Sequence, residues 1–120
     1  MTYWYFSTRW NETGGACDPA SSEVKVDIEI TLPVLTEKAR LSAADRLRWE
    51  DYFAALSSHE AHHAHLAIKG ARDMEQAMRQ AASCDLLDGI IDQVSEVVAL
   101  ASEDFDHVTH NGKRDGAVFP

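Results

Sequence analysis

His59-Glu60-Ala61-His62-His63 is the stretch on which the reading of this chain turns. It fits the pattern His-Glu-x-x-His, with His59 and His63 as the outer histidines. On a helix, residues four apart share one face, one turn from each other, so both imidazoles can reach a single ion. Glu60 then stands at the edge of that face, placed to take a proton from a water molecule at the ion. His62 and His65 make the segment locally rich in histidine, so the motif gains its weight from context. The context is helical. Trp49, Phe53, Leu56, His59/Glu60, His63, Ala67, Gly70, Met74 and Met78 recur at helical spacing, and the two histidines continue this apolar stripe. They are therefore expected to face the interior of the domain.

Ser42-Ala-Ala-Asp45 reads as a capping box and marks the start of that helix. Gly70, on the same stripe, costs about 1 kcal/mol relative to alanine in a helix interior. It is either a close-packing point or a break between two helices. Ser83-Cys84-Asp85 interrupts the pattern, with Asp85 a candidate cap for the next helix. Leu87, Ile91, Val94, Val98, Ala101 and Phe105 then form a second stripe, ending near residue 106. Asp88, Asp92, Glu96 and Glu103 line much of the remainder as a solvated face. Asn111-Gly112 ends the helical region, and the tail from Asp115 to Pro120 reads as irregular or a short edge segment.

Ahead of the helices lie two strands. Tyr3 to Trp10 is rich in the aromatic and β-branched residues that suit strands. It begins almost at Met1, which leaves room for a further N-terminal strand outside this sequence. Asn11 to Ser22 reads as loop, from its Asn, Thr, paired glycines, Asp, Pro and paired serines. Glu23 to Thr31 alternates strictly. Val24, Val26, Ile28, Ile30 and Leu32 face one way and Lys25, Asp27, Glu29 and Thr31 the other, as in a half-buried antiparallel strand that Pro33 ends. No internal repeat and no low-complexity tract interrupts this order.

The 120 residues suit one domain, residues 1–120, with a single core. The pattern predicts the α+β class: a small antiparallel sheet, a long helix carrying the motif, and a second long helix. Eleven basic against twenty acidic residues give a formal charge of −9. That disfavours nucleic acid and anionic membranes as partners, because both require a cationic surface. No run approaches the length of a transmembrane span, and no signal-peptide pattern follows Met1. Cys17 and Cys84 are the only cysteines. Their spacing fits a disulfide or two buried thiols equally.

Two histidines leave two positions on a tetrahedral Zn2+ ion. A catalytic site takes one further protein ligand and keeps the last position open. Candidates for the third ligand cluster at the end of the second helix: Glu103, Asp106, His107 and His110. Asp106 and His110 are four apart, so both face the site if the helix persists that far.

A resemblance now covers nearly the whole chain. It rests on Gly-Gly-Ala-Cys17, the alternating strand ending Thr-Leu-Pro33, and Trp49-x-x-Tyr52 ahead of His59-Glu-x-x-His63. It continues through Cys84 and Phe105-Asp-x-x-Thr109 into Gly112, Gly116-Ala and Phe-Pro120. This succession resembles a bacterial family described as secreted zinc-dependent proteases, a domain of otherwise unknown function. The resemblance implies a zincin-like fold, with a sheet packed on the active-site helix. It also implies export to a secreted or periplasmic location and pairing of the two cysteines. The family's tail reads Tyr-Asp-x-x-Thr-x-His-Gly. Here Phe105 replaces the tyrosine and Asn111 stands at the histidine position, with His110 one residue earlier.

The leading expectation is a zinc metallopeptidase acting on peptides or proteins. His59, His63 and His110 are expected to hold Zn2+, and Glu60 to act as general base. If the alternating strand lies beside the active-site helix, it offers an edge for an extended peptide. The alternative is a non-catalytic zinc-binding or interaction domain that keeps the fold. A carboxylate at Glu60, useless to a structural zinc site, favours the enzyme.

Overall fold

The computed structural model describes residues 1–37 and 40–118. Phe119 and Pro120, the end of the expected tail, lie outside the described residues. The first element is a β-hairpin of β1, Thr2–Thr13, and β2, Ala16–Ile30, paired antiparallel from Thr2↔Ile30 to Thr13↔Ala16. Thr2, Trp4, Phe6, Val24, Val26 and Ile28 turn inward, while Tyr3, Tyr5, Lys25, Asp27 and Glu29 face out. The alternation of the sequence is thus the alternation of the pleat.

The expected loop from Asn11 to Ser22 is instead the tip of this hairpin. Gly14 and Gly15 make a two-residue turn at φ +58° and +81°, the twist that a tight hairpin requires and that only glycine adopts freely. The register slips beyond Arg9↔Glu23 and resumes at Asn11↔Asp18, so Pro19 to Ser22 bulge out opposite Trp10. Side chains replace the lost ladder bonds. Asn11 N–H donates to Ser21 Oγ (2.8 Å), Ser21 Oγ donates to the Asp18 carbonyl (2.5 Å), and Ala20 N–H donates to Asp18 Oδ1 (3.1 Å). The residues that read as loop are the ones that build the bulge.

Helix α1, Ala43–Arg79, begins where the capping box places it, with Ser42 Oγ accepting from Asp45 N–H at 3.1 Å. It runs unbroken for 37 residues, about 55 Å at 1.5 Å per residue, and accounts for most of the molecule's 68 Å length. Its buried stripe is His59, Glu60, His63, Ala67, Gly70, Ala71, Met74 and Met78. Gly70 is a close-packing point, not a break. A Cβ there would overlap Val98 Cγ2 and approach Phe6 Cζ to 3.5 Å. Ala67, Gly70 and Ala71 let a second helix come close.

That helix is α2, Leu87–Thr109, entered through a single 3-10 turn at Cys84–Leu86. Asp85 sits within this turn, and no side chain caps α2; the turn itself leads the backbone into the helix. Met74, Met78 and Leu87 form the buried core, with Phe6, Trp10, Val24, Ile90, Ile91 and Val94 packed against it. Cys17 and Cys84 are disulfide-bonded at this same end, with Cα atoms 6.2 Å apart. Because Leu87 meets Met74 and Met78 while the end of α2 returns to His59 and His63, the helices are antiparallel. Among the described residues no helix is long and apolar enough to cross a membrane.

Candidate metal centre

The site lies where the C-terminal end of α2 meets the middle of α1. His59 and His63, one turn apart, stand edge to face with ring centroids 4.9 Å apart. Asp106 reaches them from α2, and its Oδ1 lies 2.8 Å from Nε2 of each. The two Nε2 atoms are 3.2 Å apart. Both imidazoles are buried, at 4% and 5% exposure, whereas the Asp106 side chain is 40% exposed and opens toward solvent.

Each ring is held from behind. Phe105 stacks on His59 at 4.6 Å and meets His63 edge-on at 5.2 Å, while its other neighbour, His62, lies 4.1 Å away. Ser102, one turn before Asp106, places Oγ 2.5 Å from His63 Nδ1. His59 Nδ1 has no such partner; it is buried without a hydrogen bond. Gly112 presses on that ring, and a Cβ at Gly112 would come within 3.0 Å of Nδ1 and Cγ. With φ at +88° as well, the position requires glycine on two counts.

Glu60 is buried beside the pair. Thr2 Oγ1 donates to its Oε2 at 2.5 Å, and the amine of Met1 lies 3.1 Å from Oε1. A pocket of about 410 Å³ opens over the group, walled by Thr2, Trp4, Glu60, His63, Glu103 and Asp106 among others. The strand that borders this pocket is therefore β1; the alternating β2 packs along α1 behind it.

His110, expected as the third ligand, is not part of the cluster. Helix α2 ends at Thr109, and His110 is its C-cap at φ +51°, followed by Asn111 at +58°. Asn111 N–H turns back to the Asp106 carbonyl at 2.7 Å. This left-handed reversal carries His110 off the face it would occupy on a continuing helix. It is exposed and borders a neighbouring depression with Asp106 and His107. Glu103 reaches the pocket wall but not the ligand group, so of the four candidates only Asp106 joins the histidines. Ser102 went unnoticed in the sequence, although its i, i+4 relation to Asp106 puts the two on one helix face.

Two imidazole nitrogens and one carboxylate oxygen are a donor set that zinc accepts. Ligands about 2.0–2.1 Å from a tetrahedral ion are about 3.3 Å from each other. The separations of 2.8, 2.8 and 3.2 Å are shorter by about half an ångström for the two to Asp106 and about 0.1 Å for the pair of histidines, an adjustment within the reach of side chains. The other cluster of ligand type among the described residues, Glu12 with Cys17 and Cys84, has both sulfurs committed to the disulfide.

No curated protein and no solved structure matches the chain. A family model described as a bacterial protein of unknown function (DUF922) matches residues 1–113. That match spans the hairpin, both helices and every residue of the cluster, and the chain belongs to this family.

Proposed function

We propose that this protein is a zinc-dependent peptidase of the HExxH kind, in which His59, His63 and Asp106 hold the ion and Glu60 is the general base. The observation that carries the reading is the convergence of His59 Nε2, His63 Nε2 and Asp106 Oδ1 from two helices, at separations of 2.8 to 3.2 Å, with Glu60 in the wall of the same pocket. Structural zinc is closed by four protein ligands, whereas catalytic zinc takes three and leaves one position to water or substrate. Three donors at the floor of an open pocket favour the second arrangement. When bound, zinc would polarise a substrate carbonyl and lower the pKa of a water molecule to about 7.

The remaining roles fall to the chain itself. Glu60 takes the proton of the attacking water and returns it to the leaving amine. Thr2, by donating to Oε2, holds one oxygen of that carboxylate in place. Among the described residues β1 pairs only with β2, so its outer edge offers backbone groups to an extended peptide entering the pocket beside Trp4. A small antiparallel sheet packed over the motif helix, with the third ligand from a second helix, supports a zincin-like fold. The Cys17–Cys84 disulfide supports a secreted or periplasmic location, where such bonds persist.

Metal analysis of the purified protein, followed by digestion of a mixed peptide library, tests the proposal. One zinc per chain, with cleavage that a chelator stops and zinc restores, is the expected result. Zinc without cleavage would leave a non-catalytic zinc-binding domain, and absence of zinc would overturn the reading.

A further inference from the structure

The two histidines of the cluster are supported unequally. His63 Nδ1 faces the hydroxyl of Ser102 at 2.5 Å, and both residues are buried, at 5% and 6% exposure. His59 Nδ1 is buried with no hydrogen-bond partner, its ring held by the face of Phe105 and by the backbone of Gly112. The difference matters because a neutral imidazole carries one ring proton. A ring that donates from Nε2 to Asp106 leaves Nδ1 bare, so Nδ1 must accept. A ring that offers the Nε2 lone pair to an ion carries its proton on Nδ1, so Nδ1 must donate. A backbone carbonyl would serve only the second form, and a backbone N–H only the first. A hydroxyl serves both, because it rotates to donate or to accept.

We propose that Ser102 is a positioning residue of the metal centre, one that hydrogen-bonds His63 Nδ1 in either ring tautomer. It donates while His63 Nε2 faces Asp106 and accepts when Nε2 faces an ion. His63 can thus exchange one partner for the other without stranding a buried nitrogen, whose desolvation would otherwise oppose metal uptake. The position of Ser102 fits the task. It lies one helical turn before Asp106, so one face of α2 carries both the ligand and the residue that orients its neighbour. This inference rests on the zinc reading above, with Ser102 acting through His63 and not on substrate.

The test uses the whole chain with ¹⁵N-labelled histidine side chains, at about pH 8, above the ordinary imidazole range. Spectra are recorded without metal and with one equivalent of zinc. In the wild type His63 should pass from the Nε2–H to the Nδ1–H tautomer as zinc binds. Its Nδ1 proton should exchange with water far more slowly than a ring proton of exposed His65. Ser102→Ala should lose that protection and bind zinc about 10- to 100-fold more weakly, the range for loss of a group that orients a ligand. A merely structural serine would lower the melting temperature equally with and without zinc, leaving affinity and exchange unchanged, and that result overturns the proposal. So does a wild-type Nδ1 proton that exchanges as fast as that of His65, which needs no variant to fold. Zinc binding by the wild type with either of these outcomes refutes the role of Ser102 alone, whereas no zinc binding at all removes the metal reading and this inference with it.

Discussion

Replacing Asp106 and replacing His110 should have opposite consequences, and the structure sets the scale of each. Asp106 Oδ1 lies 2.8 Å from Nε2 of both histidines and is the only anionic donor of the three. Asp106→Ala leaves two imidazoles. Loss of a group that merely orients a ligand weakens metal binding about 10- to 100-fold. Loss of a ligand should exceed the upper end, so Kd should rise more than about 100-fold, or about 2.8 kcal/mol. The fold should survive, because a side chain that is 40% exposed leaves little cavity when truncated. His110 is exposed beyond the helix end and is not one of the three converging donors. His110→Ala should therefore change zinc affinity by no more than roughly a factor of two. Titration of each zinc-loaded variant with a chromogenic chelator, with circular dichroism as the folding control, reads the difference directly. Zinc lost from His110→Ala and retained by Asp106→Ala would refute the assignment of the third ligand.

Three further outcomes follow from the same geometry. Glu60→Gln should keep zinc and fold while lowering hydrolysis by about 10²- to 10⁴-fold, because the amide cannot take the proton; a rate within a few-fold of the wild type would remove Glu60 as base. The Cys17–Cys84 bond closes a separation of 67 residues, worth about 4 kcal/mol in the chain-entropy model. A thiol assay should find no free cysteine before reduction, and reduction should lower the denaturation midpoint; two free thiols at the start would contradict the pairing. Gly70→Ala should destabilise the protein. The gain of about 1 kcal/mol in helix propensity is outweighed by overpacking of about 1–3 kcal/mol against buried Val98. Chemical denaturation should show the loss shrinking in a Val98→Ala background, and a stabilised Gly70→Ala would show that the helices can part.

What could be read from the sequence was what short-range physics decides. Ser42 and Asp45 fix the start of α1 within one turn, and the spacing from Trp49 to Met78 needs nothing beyond a helical period. The tip of the hairpin was not legible, because its reasons are distant in sequence. Asn11 to Ser22 has turn composition throughout, yet Trp10 packs against the core around Met74, Met78 and Leu87, and Cys17 is tied to Cys84. These contacts hold the segment in a ladder that local propensity alone would not choose. Gly70 was ambiguous for the same reason. A glycine in a helix stripe reads as a break until the residue facing it, Val98, is known.

At the site, the legible part ends with the helix. His59, Glu60 and His63 are fixed by one turn of α1, but the third member of the cluster depends on where α2 stops. Asn111-Gly112 announced a stop; that it turns left-handed from His110 onward decides which side chains stay on the helix face. Asp106 stays and His110 leaves. The result is an unusual junction between two helices. Lower down, α1 and α2 meet through Met74, Met78, Leu87 and Val98, as helices that only need to adhere would do. At the other end they meet through His59 and His63 on α1 and Ser102 and Asp106 on α2; the two histidines and Ser102 are, with Glu60, Thr109 and Ser22, the buried polar residues among those described. Polar groups in such positions are costly unless paired, and apolar residues of the same size would hold the helices with less difficulty. Two facing helices that break this packing rule at the floor of one pocket are what the proposed metal site would require.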